Sequence, residues 1–234
     1  MTRNTVDKVA ALADLRKQLG TRVVTGSELL QVQEAREVRS ATGMAGLNEQ
    51  LGGGLPKGQL TEIIDGGKGG GGLVLAALLA GARRKGRYVV WVDVGCGFSP
   101  EGIPRHDLDS LLWVGCSSAK EAVEALDTVS RDSNFSLFLV DLRGSTPRDW
   151  RSVRANQWQR ILGQLRQNEA SAVLFAAESV TAAAKHRVRV EVGLSCRDLG
   201  EDREQLWERL HFSPAEKTTV LPLHSGVAEW QRVG

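Results

Sequence analysis

Four short, continuous apolar runs, each of strand length and rich in β-forming residues, constrain this chain more than any other feature. They are YVVWVDV at 88–94, LLWVG at 111–115, LFLVDL at 137–142 and AVLFAA at 172–177. Runs of this kind, apolar on both faces, are buried parallel strands when helices separate them. The separators are helical. Ser118 and Glu121 form a capping box, followed by Ala122, Val123, Leu126 and Val129 on one face, while Trp158, Ile161, Leu162 and Leu165 step i, i+3, i+4, i+7. A further apolar strand at about 60–64 follows the glycine- and proline-punctuated segment GLNEQLGGGLPKGQLTEIID. The pattern predicts an α/β fold in which a central, mostly parallel sheet is flanked by helices.

Outside that core the signals are shorter. Residues 5–19 place Val6, Val9, Ala10 and Ala13 on one stripe of an amphipathic helix that Gly20 ends, and a polar stretch runs on to about residue 45. RVRVEVGLSC at 187–196 alternates as a half-exposed strand does, GEDREQLWERL reads as a charged surface helix or loop, and TTVLPL at 218–223 is another strand candidate. The expected organisation is an N-terminal helix and linker over 1–45, a core over 46–200 and a C-terminal extension over 201–234 that could bind a partner.

Composition matters here for what it excludes. No apolar run approaches the roughly 18 residues needed to span a bilayer; the longest, LVLAALLAGA at 73–82, is too short. The first twenty residues carry no apolar secretory core, so a cytoplasmic protein without a membrane partner is expected. Cys96, Cys116 and Cys196 form no C-x-x-C pair and the four histidines are scattered, so neither a metal site nor a catalytic triad is indicated. A net charge of +2 does not by itself argue for nucleic acid.

The chemistry-bearing candidate is the glycine run after the first core strand, Asp65, Gly66, Gly67, Lys68, Gly69, Gly70, Gly71 and Gly72. A phosphate loop of the form G-x-x-x-x-G-K-[ST] needs glycines so that backbone N–H groups line a phosphate, a lysine for its charge and a hydroxyl for Mg²⁺. With the loop's first position at Asp65, the lysine and hydroxyl positions fall on Gly71 and Gly72; starting at Gly66, they fall on Gly72 and Leu73. Asp141, at the carboxyl end of its strand, is the position from which a nucleotidase holds Mg²⁺, and Lys68 is the one basic group in the loop.

GLNEQLGGGLPKGQLTEI resembles the entry to the core of RecA-type recombinases, and the likeness continues through RRKGRYVVWVDVGCGFSP, SSAKEAVEALDTVSRDSNFSLFLVD and STPRDWRSVRANQWQRILGQLRQNEASAVLFAAE, over roughly residues 5–200. The resemblance implies a RecA-like, P-loop-type fold with a degenerate nucleotide loop. It places the family's phosphate lysine and Mg²⁺ hydroxyl on Gly71 and Gly72, its water-activating glutamate on Gly95, and leaves only Asp141 of the catalytic set. The segment matching the second DNA-binding loop is cut to a few residues around VTAAAKH; the first is similar to GSTPRDWRS. The expectation is a pseudo-ATPase that needs no cofactor.

Among RecA relatives the chain resembles the ImuA group, which implies a role in the damage-induced (SOS) translesion synthesis cassette. Its partners there would be ImuB, a Y-family polymerase relative, an error-prone replicative-type polymerase complex and RecA itself. A SulA-like inhibitor of the division protein FtsZ, or an unusual ATPase using Lys68 and Asp141, stands as the alternative. In RecA the N-terminal helix packs on the neighbouring subunit, which makes Val6, Val9, Ala10 and Ala13 candidate contacts with RecA or a second copy. Six arginines against one aspartate between Arg143 and Arg166, with Trp150 and Trp158 interleaved, make Arg148, Arg151, Arg154, Arg160 and Trp150 a candidate surface for protein or weak DNA contact. Trp158 also fits the core stripe of its helix. Trp207, Phe212 and Trp230 are candidate partner anchors in the C-terminal run.

Overall fold

The computed structural model describes residue 17 and residues 37–66, 70–101, 103–193, 198 and 200–215. The helix stripe of Val6, Val9, Ala10 and Ala13, the loop residues Gly67, Lys68 and Gly69, the strand candidate at 218–223 and Trp230 lie outside the described residues. Contacts divide the chain into residues 1–38 and residues 39–234.

In the second unit the order is β1 (Arg39–Ser40), α1 (Ala45–Gln50), β2 (Leu55–Pro56), β3 (Leu60–Ile64), α2 (Gly70–Arg83), β4 (Tyr88–Val94), α3 (Arg105–Leu108) and β5 (Leu111–Cys116). It continues with α4 (Ala119–Val129), β6 (Phe135–Asp141), α5 (Pro147–Arg151), α6 (Ala155–Gln167), β7 (Ser171–Ala176), β8 (His186–Val192), α7 (Arg203–Glu208) and β9 (Leu210–Pro214). A seven-stranded sheet runs β5-β4-β6-β7-β3-β8-β9, parallel throughout except for β9, which pairs antiparallel with β8. The mostly parallel sheet expected from the apolar runs is present.

Alternation sorts the strand residues onto two faces. Ile63, Val89, Trp91, Leu139, Val173, Phe175 and Val190 pack with Val74, Leu75 and Leu78 of α2. Leu60, Val90, Val92, Phe138, Val140 and Leu174 pack instead with Val123 and Leu126 of α4 and with Trp158, Ile161 and Leu165 of α6. The result is three layers, helix on sheet on helix. Trp158 is 3% exposed, so it belongs to the core. The capping box of α4 closes differently from the expected reciprocal pair: Ser118 Oγ accepts from Glu121 N at 3.2 Å, but the Glu121 carboxylate takes Ser117 N and Oγ, at 2.7 and 2.6 Å.

β8 alternates as expected from Val188 to Glu191, with the valines buried and Arg189 and Glu191 exposed. Arg187 departs from the pattern because it pairs with the fully buried Glu62 of β3 at 2.8 Å. That carboxylate also accepts from Ser179 Oγ and from the backbone N–H groups of Val180 and Thr181, while Arg187 donates to Ser179 Oγ and Thr181 O. The short connection from β7 to β8 is thereby pinned to β3, since a buried ion pair is retained only when its remaining donors and acceptors are filled. Among the described residues no helix is long and apolar enough to cross a membrane.

Candidate functional site

The carboxyl ends of β3, β4 and β6 converge where an open parallel sheet places its ligands. Asp65 leaves β3 and is 3% exposed; Asp141 ends β6 and is 8% exposed. Two carboxylates with so little access to water need a counter-charge, and Arg143 supplies it. Its Nη1 donates to Asp65 Oδ2 at 3.0 Å, its Nε to Asp141 Oδ1 at 2.9 Å and its Nη2 to Asp141 Oδ2 at 2.5 Å. The Arg143 backbone N–H also donates to Asp141 Oδ1, at 3.0 Å.

The guanidinium lies 5.8 Å from the centroid of the Phe175 ring. Burial alone would pull its pKa down. The hydrogen bonds and charge of Asp141, and then those of Asp65, more than offset this and hold it above the ordinary guanidinium value. The loop can turn back to present Arg143 because residue 144 is glycine: a Cβ there would stand 2.2 Å from Val94 O.

This clamp explains one glycine of the run, Gly71. Gly70, Gly71 and Gly72 are not loop, as the sequence suggested, but the first turn of α2. A Cβ on Gly70 would stand 2.6 Å from Val192 Cγ2, and one on Gly71 2.5 Å from Arg143 Nη1 and 2.9 Å from Asp65 Oδ2. Gly72 faces open space. At the position where a phosphate loop carries its lysine, the direction a side chain would take is thus filled by the arginine that follows β6 and the aspartate that follows β3. Gly66 turns the chain with φ +57.

Around the clamp the strand ends are spent on structure. Asp93 Oδ2 accepts from Phe98 N at 2.9 Å and from Trp113 Nε1 at 3.3 Å, which ties down the loop containing Gly95. Trp91 and Phe98 meet in a tilted contact, centroids 4.3 Å apart and planes at 56°. A cleft of about 340 Å³ remains between Gly72, Trp91, Phe98, Ile103 and Arg143. Both Asp141 oxygens accept from Arg143, so a cation there would compete with the guanidinium for the carboxylate. Among the described residues no group of three or more His, Cys, Asp or Glu side chains could hold a metal ion.

The arginine surface is less uniform than its sequence suggests. Arg148 and Arg154 are exposed, while Arg160 is tied to Asp127 at 2.7 Å. Arg151 sits at the end of α5. Trp150 is half-buried against the α4 and α6 layer, where the short helix α5 places it. Trp207 and Phe212 are half-buried and pack at the edge of the other layer. The residue that sequence reasoning missed is Arg143, counted there as one more surface arginine. The usable signal was Asp-x-Arg at a strand end together with an aspartate where a phosphate loop opens on glycine.

No family model matches the chain. It is similar to "Protein RecA" of Cutibacterium acnes, 31% identical over 143 residues, covering 58% of this chain and 41% of the relative. It also resembles "Protein RecA" of Cereibacter sphaeroides, 28% identical over 139 residues (56% of this chain, 39% of the relative). The same holds for that of Brucella canis, 31% identical over 152 residues (62% and 42%). The chain spans about two fifths of the length of these curated relatives. The fold and this partial homology together support a RecA-like family for the chain.

Proposed function

We propose that the chain is a non-catalytic, RecA-like accessory protein of damage-induced translesion synthesis, similar in role to the ImuA group and working in the cytoplasm through protein contacts. The observation that carries the reading is the Asp65–Arg143–Asp141 clamp. A RecA-type ATPase needs a cation aimed at the phosphates and a carboxylate free for Mg²⁺. Here the cation comes from the wrong strand, is neutralised by two carboxylates and consumes the Mg²⁺ position. An ATP γ-phosphate would meet two buried negative charges with their partner already committed. The Glu62–Arg187 network adds to this reading, because it holds the connection matching a DNA-binding loop against the sheet instead of leaving it free to wrap a strand.

The partners that fit such a protein are a Y-family polymerase relative of the ImuB type, the error-prone polymerase complex and RecA. Co-expression with a Y-family relative encoded beside the gene tests this, with FtsZ polymerisation as the counter-assay. The expected result is stoichiometric co-elution and unaltered FtsZ assembly. Inhibition of FtsZ without polymerase-relative binding would replace this reading with that of a division inhibitor.

A further inference from the structure

The face of α2 turned away from the sheet carries a second constellation, distinct from the clamp. A cleft of about 440 Å³ lies between α2, α3 and α7, with Ala76, Ala80, Ile103 and Pro104 as its apolar wall and Asp107 and Trp207 in its lining. Asp107 Oδ1 and Trp207 Nε1 are buried and have no hydrogen-bond partner. Asp107 is 7% exposed. Arg83 Nε stands 3.5 Å from that oxygen, near enough to balance its charge but without forming a hydrogen bond, and His106 Nε2 lies at the same distance. Buried polar atoms in native structures are nearly always paired, and an orphan asks what pairs with it.

We propose that this cleft is a peptide-binding site, taking an extended segment of a partner protein whose aliphatic side chain enters between Ala76, Ala80 and Ile103 while an amide satisfies the two orphan atoms. The orphans are one acceptor and one donor. An amide supplies both complements, an N–H for Asp107 and a C=O for Trp207. A simple anion would be opposed by Asp107, and a simple cation would leave the indole N–H unanswered beside Arg83. A second cleft of about 420 Å³ shares Arg84 and Trp207 with the first and extends over Met44, Leu210 and Phe212. Two depressions meeting at one indole suit alternate side chains of an extended chain, which project to opposite sides at every residue. The proposal shares with the preceding section the premise that the chain works through protein contacts. The two clefts share Ala76 and Ile103, but the orphan atoms belong to Asp107 and Trp207 and not to the clamp, so nucleotide binding and peptide binding can fail independently.

The test uses the full chain with ¹⁵N-labelled tryptophan and reads the Trp207 indole N–H resonance, assigned by Trp207→Phe. The probe is N-acetyl-L-leucinamide, which carries the aliphatic group and both amide functions. Isoamyl acetate, which has the aliphatic group and a carbonyl but no N–H, is the control. The expected result is a saturable shift with the amide and at least fivefold weaker binding of the ester. Asp107→Ala should weaken the amide at least fivefold, and Ala80→Trp, which fills the cleft from its apolar wall, should abolish the shift. The proposal is overturned by an unmoved resonance at saturating probe, meaning that water alone pairs the orphans. It is overturned equally by the same affinity for amide and ester, or by binding that survives Ala80→Trp.

Discussion

Replacing Gly71 and Gly72 one at a time by alanine separates the clamp from ordinary helix chemistry. Both residues lie in the first turn of α2, so both substitutions gain the same local term, about 0.5–1 kcal/mol from exchanging glycine for alanine in a helix. Gly72→Ala meets nothing within 4 Å and should keep that gain. Gly71→Ala places a methyl 2.5 Å from Arg143 Nη1. To reach ordinary contact the guanidinium must retreat by about 1 Å, which stretches its 3.0 Å bond to Asp65 beyond hydrogen-bond range. Losing one partner of a buried ion pair costs about 3–5 kcal/mol. Arg143 is 26% exposed on its side chain and keeps Asp141, so the loss should be nearer 2 kcal/mol by that scale. The two variants should then differ by about 2 kcal/mol, or about 4–8 °C in Tm for a chain of this size. Urea unfolding followed by circular dichroism, with equal m-values required, measures it. If Gly71→Ala is as stable as Gly72→Ala, the clamp is not what excludes a side chain at position 71.

Arg187→Met should destabilise the fold by about 3–5 kcal/mol by leaving the Glu62 carboxylate without its cation, whereas the double replacement with Glu62→Met should recover most of that loss; equal losses in the two would refute the pairing. Cys116, whose thiol is pushed up to about 11 by burial and by the charges of Glu121, Cys96 and Asp93, should alkylate slowly with iodoacetamide. It carries about a hundredfold less thiolate at neutral pH than an ordinary thiol, and peptide mapping should find the exposed Cys96 modified well before it. Burial opposes the charge on Asp127, but the hydrogen bonds from Arg160 and then Arg131 prevail and lower its pKa. The stability this carboxylate adds is therefore present above the ordinary aspartate range, about 3.9, and is lost as pH falls through its lower folded value. Arg160→Ala should make the acid limb of stability against pH shallower; an unchanged limb would show that the pair contributes nothing.

What the sequence makes legible is whatever repeats with a short period. β4 at Tyr88–Val94 and the buried stripe Trp158, Ile161, Leu162 and Leu165 of α6 are readable because local alternation and helical spacing are set by the backbone alone. α1 is not readable, since its six residues bury only Leu47 and carry no period. The clamp is harder still. It joins an arginine after β6 to an aspartate 78 residues earlier, and only the sheet order, with β7 alone between β6 and β3, brings the two together. For the same reason the glycine run reads as a loop: its contacts at Gly70 and Gly71 are with β8 and Arg143, which no local pattern announces. Arg187 shows the converse, a charged residue in an alternating strand that is buried because its partner Glu62 lies on the neighbouring strand.

Isothermal titration of ATP with Mg²⁺ into the wild-type chain, carried to millimolar nucleotide, tests the central claim that Arg143 closes the phosphate site between Asp65 and Asp141. The account predicts no saturable heat and no phosphate release. Saturable one-to-one binding at micromolar affinity, abolished by Asp141→Asn, would contradict it and return the chain to the nucleotide-using members of its fold.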